Sequence, residues 1–270
     1  MTGVVFRETL RRSWRNALWW GLALALLAVV QVAVIGDVDA LQQFADLMQT
    51  MPPFIMNMLG GADAAFMATP EGYLAARFFS FMVVLYAVYG VLVGLSVTAA
   101  DEDRGIIDIH LSTPLPRWRL IVEKVGAHSL LLLLIVLLTL AGVLAGVAST
   151  PAAATVNIGR ITEVTLAAFP VGLVALGITV LLTGVIRNRG TATGIAFGVV
   201  IGSYFVNFVG LNADTSGVGA LTYLSFFRYY NGPDLMQNGI VWGNMILLVA
   251  ATLVLVALGV FAFQRRDVGV

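Results

Sequence analysis

Residues 129–148 read SLLLLLIVLLTLAGVLAGVA, from Ser129 to Ala148, twenty residues without one charged side chain. A helix needs about 20 residues to cross a hydrocarbon core about 30 Å thick, so this stretch reads as a membrane span. The uncharged window around it runs from Val125 to Gly159, longer than one crossing, and trims to 127–148. Working outward, five more uncharged windows of similar length appear: Ala17–Gly36, Phe78–Ala100, Val164–Ile186, Gly190–Ala213 and Leu235–Gln264. The last two trim to 190–210 and 241–263. The expected fold is therefore an all-α integral membrane protein with six spans, at 17–36, 78–100, 127–148, 164–186, 190–210 and 241–263.

The composition agrees. Of 270 residues, 59% are hydrophobic and 11% charged, which excludes an ordinary water-soluble globule. The absence of cysteine removes disulfide frameworks, thiol nucleophiles and thiolate metal sites. Fifteen basic and fifteen acidic residues cancel, so no footprint for nucleic acid shows. By position they do not cancel. With the N-terminus inside, the cytoplasmic segments hold twelve basic and seven acidic residues, a net +5, and the outer segments hold three and eight, a net −5. Basic residues near helix ends stay on the cytoplasmic side, so both termini are expected inside a cell (plasma or inner) membrane.

Ahead of the first span, Phe6, Leu10 and Trp14 repeat every four residues among Arg7, Arg11, Arg12 and Arg15. That pattern suits an N-terminal interfacial helix. A cleaved signal peptide fits less well, because the apolar run of about 20 residues exceeds the 7–15 usual for signals.

The trimmed spans contain no Asp, Glu, Lys or Arg, whereas ion-driven carriers place such groups inside the membrane. Energy for transport would then arrive from another polypeptide, since the one lysine, in Glu123-Lys124-Val125-Gly126, has no phosphate-binding loop around it. An intramembrane hydrolase would need a serine and a histidine that meet. Ser96, in Gly94-Leu95-Ser96, and His128 are the candidates, and a helix-packing serine with an interfacial histidine is the blander reading. His110 and His128 make no metal site.

Span five carries Gly190, Gly194, Gly198 and Gly202 at strict spacing of four, a stripe on one helix face. It reads either as packing within the subunit or as a subunit interface or pathway lining. Gly90/Gly94 and Gly142/Gly146 are isolated pairs and carry less information. At the end of span five, Tyr204, Asn207 and Phe208 are candidates to line a route for an amphipathic substrate. Met48, Met51, Met56, Met58 and Met67 lie in the first outer loop. Interleaved with Leu47, Phe54, Ile55 and Leu59, they read as apolar faces of short helices before they read as copper ligands. Tyr223, Phe226, Phe227, Tyr229 and Tyr230 suggest an aromatic belt or a partly re-entrant element.

Residues 101–119, DEDRGIIDIHLSTPLPRWR, form the inner connection between spans two and three. Asp101, Glu102 and Asp103 favour a helix N-terminus. Ile106, Ile109 and His110 follow at helical spacing, Pro114 and Pro116 end the helix, and Arg117, Trp118, Arg119 and Lys124 anchor the next span. A helix with four acids and one arginine would be repelled by an anionic leaflet, which favours docking to a protein partner.

Glu102 and Gly105, followed by Leu111-Ser112-Thr113-Pro114 and Arg117, resemble the inner loop of ABC-2 type transporter permeases, written as an acid-rich stretch leading to "LLSTPxxR". The spacing in this chain is Glu-x-x-Gly. Phe263-Gln264-Arg265-Arg266-Asp267 is similar to the family's closing "F-x-R-R-D", and Gly72-Tyr73 precedes span two as in the family. The resemblance implies one transmembrane domain over 1–270, a cytoplasmic coupling helix between spans two and three, and short outer helices between spans five and six. It implies ATPase coupling through Glu102, Gly105, Ile106, Ile109, His110 and Leu111, and a subunit interface at spans one and five that would include the glycine stripe. The partners implied are the bilayer, a second permease copy or paralogue, and ABC ATP-binding subunits that hold the ATP and Mg, with no cofactor on this chain. Its implied role is an exporter permease, and a non-transporting anchor or sensor that recruits a soluble partner is the alternative.

Overall fold

The computed structural model describes residues 3–35, 43, 46–47, 50–52, 66, 69–98, 116–150, 156–212 and 217–265. Among these residues every regular element is helical, and six helices are long and apolar enough to cross a membrane. Span one is Val4–Ile35 and span two Pro70–Leu95. Span three is Arg117–Ala148, and span four is Ile158–Val185. Span five is Arg189–Asn212 and span six Trp242–Arg265.

Several boundaries differ from the sequence reading for identifiable reasons. The interfacial segment before span one is not a separate element. No proline or glycine lies between Val4 and Trp20, so the arginine-bearing turns continue into the span as one helix of 32 residues, about 48 Å at 1.5 Å per residue. Span two begins at Pro70, ahead of the expected Phe78. Thr69 caps it by accepting the Gly72 N–H at 3.1 Å, and Pro70 stands where its missing N–H costs nothing. Ala75–Phe79 is a π-helical turn, where the Ser80 hydroxyl donates to the Ala75 carbonyl at 2.9 Å.

Span four starts at Ile158, capped by Asn157, whose side chain accepts the Arg160 N–H at 3.2 Å. It breaks at Ala168, just before Pro170, where the Gly172 N–H to Ala168 carbonyl bond lengthens to 3.5 Å. The expected short helices between spans five and six are present as two 3₁₀ segments, Gly217–Leu224 and Phe226–Tyr229, and an α-helix, Gly232–Asn238.

Span one packs along span three, span two along span four, and span four along span six. Small residues set these distances. A Cβ added at Gly142 would lie 2.6 Å from the Ala25 carbonyl oxygen, one at Gly94 2.6 Å from Thr179 Cβ, and one at Gly184 2.6 Å from the Gly259 carbonyl oxygen. In lipid, helix association rests on such close approach, because apolar burial between helices gains little over contact with lipid tails. Span four is the centre, with 78% of its most apolar window buried, against 17% in span five and 22% in span six. Trp19, Leu26, Ile246 and Leu253 remain exposed, as lipid contact requires.

Candidate functional site

A cavity lined largely by polar and aromatic groups lies where the span five to six connection packs against the bundle. It holds about 430 Å³ and is lined by Tyr204, Asn207 and Phe208 together with Ser80, Arg228 and Asn244, among others. The three sequence candidates thus share one wall. They do so because Ser225, between the two 3₁₀ segments, donates to the Ser203 carbonyl at 2.7 Å and pins the aromatic segment against span five. Phe227 meets Tyr204 edge-on at 5.5 Å, and Phe226, Phe227 and Tyr230 are buried while Tyr223 is exposed, so this segment is a packed element that turns part of its aromatic set inward. Arg228 bonds the Thr222 hydroxyl and stacks over the Tyr223 ring at 3.9 Å. Burial holds the Tyr230 phenol well above its ordinary pKa range, so it remains a neutral donor, facing the Phe79 carbonyl at 3.5 Å. Sequence reading missed Arg228, Asn231, Asp234 and Asn244, which come from the connection and from the start of span six and show no spacing signal.

At the opposite end of the bundle, where Gly3 lies, spans one, two and three are tied by polar contacts. Lys124, 6% exposed, donates to the Val97 carbonyl at 2.7 Å. Glu123 accepts the N–H groups of Gly3 at 3.2 Å and Phe6 at 3.1 Å and pairs with Arg119 at 2.8 Å. Its carboxylate therefore caps the first helix across 120 residues of sequence. The coupling candidates Glu102, Gly105, Ile106, Ile109, His110 and Leu111 follow Val97 in the chain but lie outside the described residues.

Ser96 and His128 do meet, with Oγ 3.0 Å from Nε2. The serine hydroxyl, however, donates to the Val93 carbonyl at 2.6 Å, so the imidazole Nε2–H is the donor to Ser96 and not the base that would activate it. Nδ1 is buried with no partner among the described residues, which leaves the ring without the orienting group that a catalytic histidine needs. The pair is a helix-packing contact. Among the described residues no cluster of three or more His, Cys, Asp or Glu could hold a metal ion.

The glycine stripe of span five meets none of the described residues beyond its own turn. A Cβ at Gly194, Gly198 or Gly202 would find nothing within 4 Å, and one at Gly190 would approach only Asn188 Oδ1 at 3.2 Å. Of the two readings of this stripe, packing within the subunit therefore finds no counterpart among the described helices.

Residues 4–268 match the family model described as ABC-2 family transporter protein. The chain belongs to the ABC-2 transporter family. No curated protein matches it. As an ABC-2 permease it is a membrane subunit of a transporter without an ATPase site of its own, embedded through multiple crossings, and the permeases of this family generally pair with ABC ATP-binding subunits.

Proposed function

We propose that this ABC-2 permease is one half of a dimeric, ATP-driven exporter, with both termini cytoplasmic in the cell membrane. The observation that carries the reading is the open glycine face of span five, at Gly194, Gly198 and Gly202. It is a close-approach surface with no partner among the described residues of the protomer, and a second permease copy or paralogue is the occupant that fits it. The cavity at Tyr204, Asn207 and Phe208 lies on the same helix, so pairing along span five would set the cavities of two subunits on either side of the interface.

The chain performs no covalent chemistry. ATP and Mg²⁺ bind the partner ATPases, which dock on the segment at Glu102, Gly105, Ile106, Ile109, His110 and Leu111. Because Lys124 joins span three to Val97 at the end of span two, a push on that segment moves both spans together towards the pathway. The positive charge of the segments assigned to the inside supports the orientation.

Co-expression with a soluble ATPase tests the reading. A stable complex should form, its ATP hydrolysis should change on reconstitution into vesicles, and charged residues at both Ile106 and Ile109 should abolish that change. A complex whose ATP turnover ignores the membrane and every substrate would favour the anchor reading instead.

A further inference from the structure

The cavity at the end of span five has a composition that selects among amphipathic substrates. Among the described residues its lining carries one cation, Arg228, and one anion, Asp234. The cation is already engaged by the Thr222 hydroxyl and the Tyr223 ring, and the anion accepts from Asn238 at 2.7 Å. A polyanionic group would find no second basic residue among the described residues of the lining, and a cation would meet Arg228. What the cavity offers instead is ring faces and amides, among them Tyr204, Tyr229 and Asn244. One lining residue carries an unmet hydrogen bond. Asn207 lines the cavity, and its Oδ1 is buried with no hydrogen-bond partner among the described residues, an unfavourable state for an acceptor. A turn of the amide about its terminal torsion, which is broad for Asn, brings that acceptor to a donor on a bound molecule. The volume, about 430 Å³, falls in the range of small-molecule sites and suits a headgroup.

We propose that this cavity holds the polar head of an amphipathic substrate that carries no net charge, with Asn207 accepting a hydrogen bond from it. The proposal rests on the reading of the chain as a substrate-carrying permease, and its test uses no ATP and no ATPase. The full-length permease is placed in nanodiscs, and binding of a fluorescent lipid with a short maltoside head is measured in competition with dodecyl maltoside, lysophosphatidylglycerol and dodecyltrimethylammonium. Dodecyl maltoside should compete at least tenfold better than the anionic or cationic amphiphile. Asn207→Leu should weaken binding about tenfold, and Asn244→Leu should weaken it less, with the gel-filtration profile of both variants unchanged. Preferential competition by lysophosphatidylglycerol or dodecyltrimethylammonium, absence of maltoside binding, or full affinity in a well-folded Asn207→Leu protein would overturn the proposal. Loss of vectorial, ATP-driven transport would be scored separately, against the permease reading itself.

Discussion

Spans four and five are neighbours in sequence, rich in glycine and free of charge along their apolar length, yet their glycines do opposite things. Gly172 and Gly184 of span four sit where added side chains would strike Leu132 at 2.8 Å and the Gly259 carbonyl at 2.6 Å. Around Gly194, Gly198 and Gly202 of span five, no described residue comes within 4 Å of an added Cβ. Span four is the hub on which spans two and six pack, whereas span five offers the same close-approach chemistry to something outside the described bundle. A glycine repeat marks where a backbone can come near and leaves open whose backbone it is. The isolated pairs Gly90/Gly94 and Gly142/Gly146, the weaker signals by spacing, are the tight internal contacts, and the regular fourfold run is the open one.

The contrast can be broken by substitution. Gly184→Leu or Gly142→Leu forces a side chain into a neighbouring backbone, and each should destabilise the protomer by about 3 kcal/mol or prevent folding, read as a collapse of the thermal midpoint in detergent. Gly198→Leu should leave that midpoint within about 0.5 kcal/mol of the parent, as surface substitutions do, while reducing the dimer fraction in membranes. Lys124→Met removes a buried, charge-assisted bond to Val97 and should cost about 2 kcal/mol. Transport per ATP hydrolysed should fall with it, and Lys124→Arg should restore part of the coupling. Glu123→Gln weakens the cap on span one by about 1 kcal/mol, which should appear as faster hydrogen exchange at the amides of Gly3 and Phe6. Ser96→Ala should leave transport intact and stability within about 1 kcal/mol. Abolition of an enzymatic activity by that change would contradict a packing role for Ser96 and His128.

Six spans were legible because length and charge exclusion are one-dimensional properties that lipid imposes directly on a sequence. The helix ends were less so. Arg77, Arg160 and Glu163 lie in helical turns before the uncharged windows begin, because a helix extends past the hydrocarbon layer as far as a cap such as Thr69 or Asn157. The Ser96–His128 contact was anticipated as a possibility, but its meaning depends on which way a hydroxyl donates, and that information exists only in three dimensions. Tyr204, Asn207 and Phe208 were recognisable as unusual polar and aromatic groups ending an apolar helix. Their partners Arg228 and Asn244 could not be found by periodicity, since 3₁₀ turns and a helix start bring them in from elsewhere in the chain. The coupling candidates from Glu102 to Leu111 rest on motif and charge, and they lie outside the described residues.

The central claim is that the open face of span five pairs with a second permease subunit. The chain contains no cysteine, so a single Gly198→Cys variant can be oxidised in native membranes without background, beside Leu253→Cys on the exposed face of span six as a control. A covalent dimer should form at position 198, be absent or weak at 253, and keep ATP-driven transport after reduction. Efficient cross-linking at 253 with none at 198 would contradict the claim.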